Sequence, residues 1–261
     1  MRALRSEPFS EAELTRDGFL GGRLVVAQPR DGYRAAMDPV LLAAAVPARA
    51  GDSVLELGCG AGVASLCLAS RVPGLALHGV ELQPGYGALA RANAAANGID
   101  LAVSVADIAA LPEELRGRSF DHVLANPPYY PKDGGTAARD AGRERALREA
   151  LPLSEWVSVA LRRLRPGGGL TMIQAAERLP ELVAALEGRA GSLVVLPISP
   201  RDGRPAGRVI VFCRKGGRGA FRLLAPFILH AGPAHLGDGD DQTEAARAVL
   251  REAGALVLQS R

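Results

Sequence analysis

The chain has 261 residues, 48% hydrophobic and 23% charged, with a formal net charge of +3 and a pI near 9.0. That balance describes one globular domain, or one with a small appendage, and excludes disordered and fibrous classes. Its longest apolar stretches, such as Val40 to Val46, fall far short of the roughly 20 residues of a membrane span, and no signal-peptide pattern opens the chain, so a cytoplasmic protein without a membrane partner is expected.

In chain order, an N-terminal extension (1–50) leads in. Its Gly18 to Arg30 stretch has strand-like character, and a helix is expected from Pro39 to Val46, with Asp38 before it in the place of an N-cap. From there strands and helices alternate. Strands are expected at 53–57, 76–81, 101–105, 119–125, 169–174, 193–198 and 208–214, and helices near 63–70, 85–97, 153–165 and 177–188. Such alternation calls for an α/β fold with a mainly parallel sheet covered by helices on both faces. We assign 51–216 to this core domain and 217–261 to a C-terminal extension packed on it.

The first strand runs through Glu56 into Gly58-Cys59-Gly60-Ala61-Gly62 and then a helical pattern. Glycines at a strand-to-helix turn let the backbone approach a nucleotide-like ligand, because they lack Cβ and tolerate positive φ. The spacing is G-x-G-x-G rather than the G-x-G-x-x-G of dinucleotide sites, and Glu56 would repel a pyrophosphate. Both departures favour a cationic ligand, and S-adenosylmethionine, with its sulfonium and ammonium groups, suits an acid beside a glycine turn. The second strand ends at Glu81-Leu82, roughly 20 residues on, where an acid commonly binds ribose hydroxyls. The third is followed by Asp107-Ile108, and Asp107 is placed to accept from an adenine amino group. Singly, acids at strand ends are ordinary loop residues; in this order they form a consistent set.

The fourth strand runs into Asn126-Pro127-Pro128-Tyr129. Each proline pushes its predecessor out of the α region and offers no N–H, so the turn is stiff and rich in acceptors. The Asn126 amide oxygen and the Pro127 carbonyl can then grip the two hydrogens of a planar amino group, with Tyr129 as an aromatic face for stacking. Taken alone, the same residues also make a plain proline-capped loop.

Beyond this turn, Arg139, Arg143, Arg145 and Arg148 follow closely. Arg165-Pro166-Gly167-Gly168-Gly169 is a helix stop and a turn into a strand, without the Lys-Ser/Thr of a phosphate loop. Arg201, Arg204, Arg208, Arg214, Lys215, Arg218 and Arg222 crowd a late segment. Its Arg201-to-Arg208 stretch reads as a hairpin loop near the substrate entrance, suited to phosphates. Cys59, Cys67 and Cys213 have neither disulfide nor zinc spacing, and the four histidines are scattered, so no metal site is expected.

The loop from Glu56 to Gly62, together with Glu81, Asp107 and the Asn126-to-Tyr129 turn, resembles the cofactor and catalytic motifs of class I S-adenosylmethionine-dependent methyltransferases acting on amino groups. The likeness spans about Asp52 to Ile173, and the tetrapeptide is its most specific part. A narrower resemblance, through Gly32-Tyr33-Arg34-Ala35-Ala36-Met37-Asp38-Pro39-Val40-Leu41-Leu42-Ala43 and Ala225-Pro226-Phe227-Ile228-Leu229-His230, is to bacterial tRNA adenine-N6-methyltransferases that modify the purine beside the valine-tRNA anticodon. The Gly239-Asp240-Asp241-Gln242-Thr243 stretch departs from that family by lacking a tyrosine.

The resemblance implies a Rossmann-like sheet of seven strands with the last antiparallel. It also implies S-adenosylmethionine as cofactor, S-adenosylhomocysteine as product, and methyl transfer to adenine N6 in a tRNA anticodon loop. The catalytic residues are then Asn126, Pro127, Pro128 and Tyr129. The cofactor residues are Asp38, Glu56, Gly58, Cys59, Gly60, Gly62, Glu81, Leu82, Asp107, Ile108 and Asn126. A monomer or weak dimer with tRNA as its partner, and without an obligate protein partner, is expected. Two alternatives use the same chemistry: glutamine methylation in release factors, whose enzymes carry a longer helical region ahead of the glycine loop, and amino-group methylation of ribosomal RNA or DNA. A non-enzymatic scaffold would call for a degenerate catalytic turn, and this one is intact.

Overall fold

A computed structural model describes residues 5–128, 151–233 and 241–258. It opens with an antiparallel hairpin, β1 (Leu14–Phe19) and β2 (Leu24–Pro29), so that the strand-like character expected from Gly18 to Arg30 extends back to Leu14. Next comes α1 (Met37–Ala45), whose residues from Pro39 to Ala45 are all buried.

The core then alternates. β3 (Ser53–Leu57), α2 (Val63–Arg71), β4 (Ala76–Glu81), α3 (Pro84–Ala96) and β5 (Leu101–Val105) come first, followed by a short α4 (Glu113–Arg116) and β6 (Phe120–Ala125). From residue 151 on stand α5 (Leu153–Arg163), β7 (Leu164–Ala175), α6 (Leu179–Leu186), β8 (Ala190–Ser199) and β9 (Arg208–Lys215). Two short strands, β10 (Arg222–Leu223) and β11 (Phe227–Ile228), and α7 (Glu244–Glu252) complete the described elements.

The main sheet runs β10-β8-β9-β7-β6-β3-β4-β5, with β11 also on β8. β9 is antiparallel to both neighbours, and the other pairings are parallel. The seven expected strands are thus present with the last reversed, but the sheet has nine. The additional two are dipeptides that pair with the outer edge of β8, too short to leave a periodic signal in sequence.

Alternation along each strand divides the core between the two faces. Val54, Leu124, Ile173, Ile210 and Phe212 pack with α1, α2 and α7, whereas Leu55, Leu57, Val123, Met172 and Val211 pack with α5 and α6. Gly169 is held to glycine by this packing, since a Cβ there would lie 2.8 Å from the Phe212 ring. The N-terminal hairpin is tied down by buried Asn93 of α3. Its amide exchanges bonds with Ala27 (2.8 and 3.0 Å) and donates to the Ala61 carbonyl of the glycine turn at 3.0 Å.

Candidate active site

The C-terminal ends of four adjacent parallel strands, β5, β4, β3 and β6, form one rim. Open α/β sheets bind ligands at such rims. At its centre β3 gives way to the glycine turn. Gly58, Gly60 and Gly62 all have left-handed φ, of 69°, 55° and 88°, which an L side chain adopts only with strain. The turn is fastened to β4, because the Gly58 and Cys59 amides both donate to the Val80 carbonyl, at 2.8 and 3.0 Å. The Trp156 ring of α5 covers Gly58 so closely that a Cβ would meet it at 2.8 Å. Cys59 turns its thiol inward, and burial, then Glu56 and Glu81, push its pKa well up. The thiol fills space and is not a nucleophile.

Two buried carboxylates flank the turn. Glu56 Oε2 accepts from the Ser65 amide at 2.9 Å and the Ser65 hydroxyl at 2.5 Å. Burial raises its pKa to about 7, with the charge of Glu81 adding to the effect and the Ser65 bonds opposing it. Glu81 Oε2 accepts the Gly60 amide and Oε1 the Gln83 amide, both at 2.9 Å. Its pKa is also raised by burial, against the pull of those amides. Among the described residues neither acid has an ion-pair partner. Two desolvated carboxylates in each other's field, without a cation, are an electrostatic deficit that a positive ligand would relieve.

The other expected residues lie around this pair. Leu82, 45% exposed, follows Glu81 on the open side. Asp107 is exposed and caps a short 3-10 turn through the Ala109 amide at 2.8 Å, while Ile108 is buried beneath it. Asp38 is the second residue of α1 and Ala36 occupies the N-cap, so the Asp38 carboxylate is not the cap. It accepts instead from Arg208 Nε at 3.2 Å, joining α1 to the start of β9. Asn126, Pro127 and Pro128 follow β6 on the same rim; Tyr129 lies outside the described residues.

Three side chains that sequence reasoning missed hold this turn. Gln174, fully buried at the end of β7, donates to the Pro127 carbonyl at 3.4 Å while its own oxygen accepts the Ala175 amide at 2.8 Å. Arg178 donates to the Pro128 carbonyl at 3.0 Å and is itself clamped by Glu181 at 2.8–3.0 Å. From the opposite side, the Tyr33 hydroxyl accepts from Asn126 Nδ2 at 3.5 Å. A glutamine inside an apolar strand was a readable signal for Gln174; Arg178 carries none.

The late arginine cluster divides. Arg208 stands opposite Ala175 at the site rim, and Arg201 is paired with Asp241 beside it. Arg214 and Lys215 stand opposite Gly169 and Ala190 at the other rim, where they donate to the Gly167 and Leu164 carbonyls. An antiparallel strand carries its two ends to opposite rims, so a cluster contiguous in sequence cannot all flank one entrance. Arg139, Arg143, Arg145 and Arg148 lie outside the described residues.

A family model described as the methyltransferase small domain matches residues 34–187. A tRNA1(Val) (adenine(37)-N6)-methyltransferase of Dickeya chrysanthemi is 28% identical over 216 residues, covering 81% of this chain and 85% of the relative. Among solved structures, a predicted O-methyltransferase from Agrobacterium tumefaciens superposes with a TM-score of 0.69 at 25% identity, over 86% of this chain and 100% of the other. The fold also matches a 16S rRNA guanine-N2 methyltransferase from T. thermophilus, in complex with AdoMet and guanosine, with a TM-score of 0.53 at 22% identity, over 77% and 50% of the two chains.

Proposed function

The chain belongs to the methyltransferase small-domain family, and from that premise we propose that it methylates the N6 amino group of an adenine in a tRNA anticodon loop, with S-adenosylmethionine as donor. The observation that carries the reading is the meeting of an uncompensated acid pair and a stiff Asn-Pro-Pro turn on one rim, with the glycine turn between them. The names of relatives at 28% identity support the tRNA adenine acceptor.

The residues present fit the cofactor. Glu56 and Glu81 answer its positive charge, Glu81 standing also at the strand end expected to bind the ribose hydroxyls, and Gly58, Cys59, Gly60 and Gly62 offer a backbone cradle. Leu82, Asp107 and Ile108 take the nucleoside end, and Asp38 and Asn126 close the set. Bound there, S-adenosylmethionine supplies a methyl group activated on a sulfonium and leaves as S-adenosylhomocysteine.

The protein's own work is mainly positioning. An exocyclic amino nitrogen is a poor nucleophile because its lone pair is delocalised into the ring. Asn126 Oδ1 and the Pro127 carbonyl accept its two hydrogens, favour the pyramidal nitrogen of the transition state and stabilise the positive charge that develops on it. The Pro127 carbonyl keeps a lone pair for this role while Gln174 occupies the other. Tyr129 supplies the stacking face, an interaction worth roughly 1–3 kcal/mol per base. A loop base, already partly unpaired, reaches such a pocket at low energetic expense. Arg204, exposed on the β8–β9 loop, is placed for backbone phosphate contact. The proton leaves after transfer, so a general base is not required.

The division into a transfer domain (51–216) with flanking segments packed on it is part of the same proposal. It is supported by the Asn93 bonds to β2 and by the Leu229 amide's bond to the Ser199 carbonyl at 3.0 Å. Labelled methyl transfer to tRNA, ribosomal RNA, DNA and a release factor in parallel, followed by mass analysis, tests the acceptor. Label in tRNA as N6-methyladenosine is the expected result, and label in protein glutamine overturns it.

A further inference from the structure

Among the described residues Tyr33 is the aromatic side chain hydrogen-bonded to Asn126, and its placement is over-determined. The Tyr33 amide donates to the Tyr86 hydroxyl at 2.9 Å, and that hydroxyl donates back to the Tyr33 carbonyl at 3.1 Å. Tyr86 itself is buried. Gly32, with φ of 132°, lets Tyr86 come this close, since a Cβ there would lie 2.8 Å from the hydroxyl. The Tyr33 ring then lies over the glycine turn, 3.6 Å from where a Cβ of Gly60 would stand. Its outer surface remains open, with 55% of the residue exposed. The hydroxyl ends against the Asn126 carboxamide, 3.5 Å from Nδ2.

A carboxamide has two faces of similar shape and opposite use. Turned one way, Asn126 presents an acceptor to the substrate; turned by a half rotation, it presents a second donor to an amino group that is already all donor. What selects the face is the hydrogen-bonding partner on the other side. A phenol oxygen can give or take a hydrogen, but here desolvation and then the carboxylates of Glu56 and Asp38 push the Tyr33 pKa up to about 12. The group stays protonated, and its oxygen accepts from Asn126 Nδ2.

We propose that Tyr33 is a positioning residue of the transfer reaction: its hydroxyl, held over the glycine turn by Tyr86, turns the Asn126 carboxamide so that Oδ1 faces the acceptor amino group. This rests on the proposed amino-group methylation. It adds that the orientation of the catalytic turn is set from the segment ahead of the core. The contact lies at the long end of hydrogen-bond range, where catalytic bonds in ligand-free sites are commonly found before they tighten in the complex.

The test is a double-mutant cycle. Tyr33→Phe keeps the ring on Gly60 and the backbone clamp to Tyr86, and removes only the hydroxyl. It should lower kcat roughly tenfold while leaving KM for S-adenosylmethionine and the melting temperature unchanged. Asn126→Asp presents two equivalent oxygens, so there is no amide face to select. In that background Tyr33→Phe should change kcat by less than about threefold.

The same loss in both backgrounds, or a raised cofactor KM with unchanged kcat, overturns the proposal. If Asn126→Asp is too slow to assay, the kcat and KM of the single variant decide. A readout without substrate is the nuclear Overhauser contact between the Asn126 side-chain NH2 and the Tyr33 ring protons, which should be present in the wild type. Its absence overturns the proposal even if the wild type methylates no RNA, a failure that would count separately against the reaction itself.

Discussion

Replacing Glu56 by glutamine should move stability and cofactor affinity in opposite directions. The wild-type carboxyl is fully buried and its pKa stands at about 7 rather than the ordinary 4.5. The folded chain therefore holds a proton that the unfolded chain releases over that interval. The contribution to stability is fully present below pH 4.5 and is lost as pH rises through about 7. Integrated over the displacement, this is about 3 kcal/mol. Glutamine keeps an oxygen that can accept both Ser65 bonds and carries no charge to bury. Glu56→Gln should thus match the wild type near pH 4.5 and exceed its unfolding free energy at pH 8 by up to about 3 kcal/mol. The gain would be read from urea titrations at several pH values. The same substitution should weaken S-adenosylmethionine binding at pH 8, measured by calorimetry, because half of the buried negative charge that answers the cofactor is gone. A variant less stable than the wild type at pH 8, or one that binds the cofactor equally well, would refute the reasoning.

Three further outcomes follow from the geometry. Asn126→Ala should lose turnover by orders of magnitude with only a small loss of cofactor affinity, whereas Glu81→Ala, which also frees the Gly60 amide, should chiefly weaken cofactor binding; equal affinity losses measured by calorimetry would contradict these roles. Gly58→Ala places a Cβ 2.8 Å from the Trp156 ring at a φ of 69°, so thermal melts should show a destabilisation of at least about 1–2 kcal/mol. Arg178→Met removes the donor to the Pro128 carbonyl and should reduce kcat roughly tenfold with cofactor KM unchanged, since a hydrogen bond from a charged group contributes about 1.5–3 kcal/mol.

How much of this could be read from the residues follows from what each feature depends on. The limits of β3, β4 and β5 coincide with the expected 53–57, 76–81 and 101–105, because each is a short, mainly apolar run bounded by polar or glycine-containing turns. The glycine turn and the Asn-Pro-Pro turn were legible for a related reason: backbone demands of that kind admit few residues. The contacts made across the fold were not legible. Glu56 reads as an acid beside a turn, and only the structure shows it bonded to Ser65 and buried with Glu81. Gln174, Arg178 and Tyr33 reach the catalytic turn from 47, 50 and 93 residues away, separations over which periodicity carries no information. The Arg201-to-Arg208 loop was legible as a hairpin turn, whereas the departure of Arg214 and Lys215 to the opposite rim follows only from the antiparallel pairing of β9.

The most direct test of the central claim is nucleoside mass analysis of an unmodified valine tRNA incubated with S-adenosylmethionine and either the wild-type protein or Asn126→Ala. The account predicts N6-methyladenosine in the anticodon loop with the wild type and a loss of orders of magnitude with the variant. Methylation elsewhere in the tRNA, or equal product from both proteins, would contradict it.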